Sequence, residues 1–130
     1  MSKTRLWLFI LAAASVPALG LAQSDIVIDR NVTMKARDGV TLKADVYRPA
    51  SDGTFPLLLE RTPYNKDLSV DFALKAVSRG FMVVIQDVRG RYTSEGEWYP
   101  FKHETDDGYD TIEWAAALPN SNGKDRKSVV

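Results

Sequence analysis

The chain has 130 residues, room for one small domain. Its 45% hydrophobic and 26% charged content is ordinary for a globular protein and excludes a disordered or fibrous class. With no cysteine and 17 basic residues against 17 acidic ones, it offers no disulfide framework, no lipidated cysteine and no basic block, so nucleic acid is not an expected partner.

Residues 1–22 read as a secretory signal: Lys3 and Arg5 give the positive end, Leu6 to Ala14 the apolar run, and Gly20-Leu21-Ala22 the small-residue cleavage site. Ser15 and Pro17 interrupt the apolar stretch, which is shorter than the roughly 20 residues a membrane span requires. The expectation is therefore an exported, periplasmic or extracellular protein that begins at Gln23 and has no stable membrane anchor. Removal of the leader leaves 15 basic against 17 acidic residues, because the leader holds two basic residues and no acidic one.

Val32, Met34 and Ala36 alternate with polar residues, as do Val40, Leu42, Ala44 and Val46, on either side of Asp38-Gly39. This pattern predicts a β-hairpin with one buried face, its glycine accepting the positive φ of the turn. After a loop from Pro49 to Thr54, Leu57-Leu58-Leu59 and Phe81-Met82-Val83-Val84-Ile85 show no alternation, as expected of strands covered on both faces. Between them Val70, Ala73, Leu74 and Val77 fall on one helical face, with Gly80 as the stop. Strand, helix and strand together predict a parallel crossover. A second helix is predicted from about Asp107 to Leu118, with acidic residues in its first turn, Ile112, Ala115 and Ala116 on one face, and Pro119 at its end. The preceding stretch, Val88 to Asp106, has no periodicity and exceeds the usual loop length, which tends to mark function.

The segments Arg61-Thr62-Pro63-Tyr64-Asn65-Lys66, Gln86-Asp87-Val88-Arg89-Gly90-Arg91-Tyr92-Thr93-Ser94-Glu95-Gly96 and Asp107-Gly108-Tyr109-Asp110-Thr111-Ile112-Glu113-Trp114 resemble the opening of the cocaine esterase and X-Pro dipeptidyl-peptidase (CocE/NonD) family of serine hydrolases. The resemblance covers roughly residues 31 to 124. It implies an α/β fold, the N-terminal part of an α/β-hydrolase, in which a β-hairpin leads into a parallel sheet with flanking helices. A complete sheet of that kind needs roughly 250 residues, so the expectation is a truncated hydrolase domain over residues 23–124. In the family, Asn122-Gly123-Lys124 leads into an apolar strand and then the nucleophile. Here it leads to Asp125-Arg126-Lys127-Ser128-Val129-Val130, and residues 125–130 are read as a non-native tail.

An α/β-hydrolase needs a serine on a GxSxG elbow, a histidine base held by an acid, and donors aimed at the oxyanion. None of the nine serines lies in GxSxG. Ser94 comes nearest, with Gly96 two residues on but Tyr92 in place of the first glycine. His103, the sole histidine, precedes any nucleophile, the wrong order for this fold, and is read as structural. The resemblance assigns Tyr64 to the oxyanion hole, where its hydroxyl would join a backbone N–H. A phenol suits that work, being a rigid neutral donor that stays protonated at working pH. Packing beside Pro63 is the plainer role for the same ring.

The charged set Asp87, Arg89, Arg91 and Glu95 follows an apolar strand, where open α/β sheets carry functional loops. The resemblance implies that it braces the loop by salt bridges and by turns at Gly90 and Gly96. Asp106, Asp107 and Asp110 lack the oxygen-ligand pattern of a calcium loop, and no metal is expected. The absence of GxGxxG and of a phosphate loop gives no support for a nucleotide cofactor. The expected function is an inactive piece of an exported serine hydrolase whose intact form acts on a small ester or peptide. The competing reading is a small secreted β-rich binding module presenting the hairpin and Trp98-Tyr99-Pro100-Phe101.

Overall fold

The computed structural model describes residues 25–127. The expected leader and the last three residues of the expected tail lie outside them. Five strands form one mixed sheet in the order β1-β2-β4-β3-β5, comprising β1 (Ile26–Lys35), β2 (Thr41–Pro49), β3 (Phe55–Thr62), β4 (Met82–Asp87) and β5 (Ser121–Lys127). Helix α1 (Val70–Val77) connects β3 to β4, and α2 (Glu104–Ala116) connects β4 to β5. β3 pairs in parallel with β4 and with β5, whereas β1 and β2 run antiparallel. The expected hairpin, crossover and parallel sheet are all present.

The missing alternation in β4 has a direct cause. Met82 and Val84 point to one face, where Ala44, Val46, Leu57, Leu59 and Ala115 of α2 complete a cluster. Val83 and Ile85 point to the other, where Tyr47 meets Ala73, Ala76 and Val77 of α1. A helix on each face buries both sets of side chains, so every residue of β4 is buried.

Details of β2 and α2 depart from the sequence reading, whereas the hairpin turn keeps the expected positive φ at its glycine. In β2, Asp45 and Tyr47 are fully buried along with Leu42, Ala44 and Val46, because α1 and the turn before it cover the face that was expected to meet water. The hairpin turn spans Ala36 to Val40, closed by Gly39 N–H to Ala36 C=O at 2.8 Å and Ala36 N–H to Val40 C=O at 2.9 Å, with Gly39 at φ +89° as a left-handed turn position demands. Helix α2 starts three residues before the predicted Asp107. Its buried line is Asp107, Thr111 and Ala115, an i, i+4, i+8 stripe that opens with two polar residues. Ile112 and Trp114 pack beside it, partly buried.

The backbone of Asp125, Arg126 and Lys127, the start of the expected tail, lies in β5 opposite Leu57, Leu58 and Leu59. Main-chain pairing is indifferent to side-chain identity, so a strand position is open to these charged residues. Among the described residues no helix is long and apolar enough to cross a membrane.

Candidate active site

The carboxyl ends of parallel β3 and β4 lie side by side, Thr62 opposite Asp87, and a further bond from Val88 N–H to Thr62 C=O at 3.1 Å prolongs the pairing. Open α/β sheets bind ligands at this edge, where the loops after adjacent strands diverge. The β3 loop carries Tyr64 and the β4 loop carries the charged set.

Tyr64 is 66% exposed, yet the chain on both sides of it is held. Its amide donates to Thr62 Oγ1 at 3.0 Å. The Pro63 carbonyl accepts from Arg91 Nε at 3.0 Å, and the Lys66 amide donates to Asp87 Oδ1 at 2.8 Å. Asn65 sits at φ +88°, a costly conformation for a non-glycine residue that persists where surroundings over-determine it. Its Oδ1 accepts from the Asp67 amide at 3.0 Å. Because the Tyr64 N–H is already used, the phenol is the donor this residue presents to a ligand.

A cleft of about 730 Å³ opens beside Tyr64, within the range of small-molecule sites. Its walls are mainly apolar, from Leu59, Val88, Trp98, Phe101, Tyr109 and Ile112, and Arg61 and Glu104 also reach it. These last two neutralise each other at 2.6 Å.

The charged set divides by task. Arg89 is bidentate to Asp107, at 2.8 and 2.7 Å, and also grips Asp38 in the hairpin turn at 2.7 and 3.0 Å. The two carboxylates raise the Arg89 pKa. In return, chiefly through its hydrogen bonds to Arg89, Asp38 is lowered to about 2. Asp87 is fully buried, with Oδ2 accepting from the Thr93 amide at 3.2 Å and from its hydroxyl at 2.7 Å. Arg91 makes its hydrogen bond to a carbonyl rather than a salt bridge. Glu95 acts through its backbone, its N–H donating to Thr41 C=O and its C=O accepting from Gly90 N–H, both at 2.9 Å. The bracing role therefore stands, while the expected salt bridges belong to Arg89.

Gly90, at φ +72°, is indispensable to that loop, since a Cβ there would lie 2.2 Å from the Trp98 nitrogen. Ser94 is buried, its hydroxyl donating to Asp87 C=O at 2.6 Å and accepting from Lys43 N–H at 2.9 Å. That is the environment of a structural hydroxyl. His103 precedes α2 and makes no side-chain cap bond there, while its carbonyl accepts from Asp107 N–H at 2.9 Å. Asp106 and Asp110 pair with Arg37 at 3.3 and 2.8 Å. No group of three or more potential metal-binding side chains occurs among the described residues.

Sequence reasoning missed the buried polar spine beneath the site. Arg61 Nε donates to Gln86 Oε1 at 2.8 Å, Thr111 Oγ1 lies 2.9 Å from the same oxygen and 2.6 Å from Asp107 C=O, and Asp107 leads to Arg89. A glutamine ending an apolar strand was its one visible signal.

The profile of the X-Pro dipeptidyl-peptidase (S15 family) matches residues 38–124, and the chain belongs to that family of hydrolases. It is 44% identical over 91 residues to the cocaine esterase of Rhodococcus sp. (strain MB1 Bresler), covering 65% of this chain and 16% of that enzyme. Among solved structures it is similar to a CocE/NonD family hydrolase from Staphylococcus aureus, with TM-score 0.70, 28% identity, and coverage of 79% of this chain and 22% of the other. It is also similar to an α-amino acid ester hydrolase, with TM-score 0.66, 27% identity, and coverage of 89% and 24%. The fold is thus that of the α/β-hydrolases, and the chain spans less than a quarter of each of these relatives.

Proposed function

We propose that these residues form the front of an exported serine hydrolase that cleaves a small ester or an X-Pro peptide through an acyl-enzyme. The carrying observation is Tyr64, an exposed phenol at the carboxyl edge of β3, whose own amide is occupied and whose flanking residues are pinned. In the proposed reaction a serine Oγ adds to the substrate carbonyl, and the negative charge forming on oxygen receives a hydrogen bond from the Tyr64 hydroxyl. Collapse of that adduct expels the alcohol or amine, and water then releases the acid. A preorganised donor of this kind acts mainly on charge that develops in the transition state.

The serine, its acid and its histidine are assigned to sequence outside these 130 residues, since Ser94 and His103 occupy structural places. The 130-residue chain by itself is accordingly expected to show no turnover of a nitrophenyl ester above buffer. Measurable hydrolysis by purified chain would place a nucleophile within it. Export is supported by the charged start, apolar run and small-residue site of residues 1–22. A mature chain beginning at Gln23, seen by mass spectrometry of periplasmic or culture material, is its check.

The decisive variant is Tyr64→Phe in the intact enzyme carrying this sequence. Loss of one oxyanion donor costs about a hundredfold to a thousandfold in kcat, roughly 3 to 4 kcal/mol. KM should move little, because the lost contact belongs to the transition state. Unchanged kcat in a folded variant would return Tyr64 to a packing role.

A further inference from the structure

Arg91 is the point at which the β4 loop reaches across to the segment that carries Tyr64. Its guanidinium lies over two rings, 5.2 Å from the Tyr92 centroid and 5.4 Å from that of Trp98. Its Nε donates to the carbonyl of Pro63, the residue immediately before Tyr64, at 3.0 Å. The loop's backbone is shaped to allow this. Tyr92 adopts φ +45°, and Gly90 passes so close to Trp98 that a side chain could not fit. Two aromatic faces hold a planar cation in one orientation, which fixes the direction of its N–H donor. No carboxylate pairs with Arg91 among the described residues, so its directed contact is with that carbonyl.

We propose that Arg91 is a positioning residue for Tyr64, setting the phenol's location through the Pro63 carbonyl and its contacts with the Tyr92 and Trp98 rings. The inference rests on the oxyanion role of Tyr64 proposed above, and it assigns Arg91 no contact with substrate. Misplacement of a catalytic group by about 1 Å can cost on the order of a hundredfold in rate. The Thr62, Asp87 and Asn65 contacts remain when Arg91 is removed, so the shift of Tyr64 should be smaller than that.

The test compares Arg91→Ala, Arg91→Lys, Tyr64→Phe and the double variant Arg91→Ala/Tyr64→Phe in the intact enzyme, with folding checked by circular dichroism. Arg91→Ala should lower kcat by about tenfold to thirtyfold, changing KM less than about threefold. Arg91→Lys, which keeps a donor, should recover part of that loss. In the Tyr64→Phe background Arg91→Ala should add less than about twofold, because a residue acting through the phenol has nothing left to position. Full multiplication of the two losses would overturn the proposal.

A second readout separates this idea from the oxyanion reading. With 3-fluorotyrosine in place of tyrosine, the fluorine resonance assigned to Tyr64 should move by more than its linewidth in Arg91→Ala, while that of buried Tyr47 stays fixed. A moved resonance with unchanged kcat in both single variants would retain the positioning role and sink the catalytic one. An unmoved resonance would overturn the positioning role whatever the kinetics.

Discussion

Two loops leave the carboxyl ends of neighbouring parallel strands, and they use their side chains in opposite ways. The loop after β4 carries the charges, yet Asp87 and Arg89 are buried and their partners are other parts of the chain. The loop after β3 offers an exposed neutral phenol at Tyr64 and is held partly by its own side chains and partly by bonds to Asp87 and Arg91. Charge density is thus a poor guide to which group this edge leaves exposed beside the cleft. The charged loop builds the wall, and the group presented to the cleft is the one whose hydroxyl has been left free.

Arg89 gives the sharpest way to break that contrast. Asp107 is 1% exposed and bidentate to Arg89, so Arg89→Met would leave a buried carboxylate without its cation. Breaking such a pair typically costs about 3 to 5 kcal/mol. Denaturant unfolding of the intact enzyme should show a drop of this order in the transition that involves this domain. A loss below about 1 kcal/mol would mean that Arg89 braces nothing and is free for substrate. Tyr64→Phe should do the reverse, leaving stability within about 0.5 kcal/mol, as for an exposed position away from structural features.

Ser94 sharpens the same line at smaller scale. Ser94→Ala removes a hydroxyl that ties the buried Asp87 carbonyl to the part-buried Lys43 amide and leaves both short of a partner, which costs about 1 to 3 kcal/mol. Its kcat should stay within about twofold of the parent once the sample is folded. A collapse of kcat with stability intact would make Ser94 the nucleophile that its setting argues against.

Much of the fold was legible because its signals are local. Alternation marked β2, the continuous apolar run marked β4, and helical spacing marked both helices, with a glycine stop for α1 and an acidic first turn for α2. The second buried face of β2 was not legible: Asp45 reads as a solvent residue until Lys66 Nζ is seen 3.3 Å from its carboxylate, across 21 positions of sequence. Thr111 and Asp107 hid in the same manner, since a polar stripe on a helix signals exposure unless its partners are known. At the site, Tyr64 entered through resemblance to a family. Its spacing alone would have left it a ring beside a proline, and the bond from Arg91 to Pro63 was visible only in three dimensions.

The smallest effect expected concerns the outer end of the bracing loop, where Arg89 meets the hairpin turn. The Asp38 carboxyl is lowered from 3.8 to about 2, mainly by its hydrogen bonds to Arg89 and further by the Val40 amide. A group whose pKa is depressed in the folded state contributes stability that is complete above its unfolded value and disappears as pH falls through the folded one. For Asp38 that window runs from about pH 4 down to about pH 2. Because the side chain is 46% exposed, solvent and salt weaken the contribution, and the readout is a trend in Tm rather than an energy. Asp38→Asn keeps the shape of the turn and removes the titration. The Tm difference between parent and variant should be constant from pH 7 to 5, shrink between pH 4 and 2, and be smaller throughout in 1 M salt. Asp110, lowered in the same direction chiefly by its hydrogen bond to Arg37 and raised least by the Asp38 charge, titrates in both proteins and largely cancels from the comparison. A difference that holds steady down to pH 2 would show that Asp38 is not tied to Arg89 in solution, and the hairpin turn would then be only loosely attached to the charged loop.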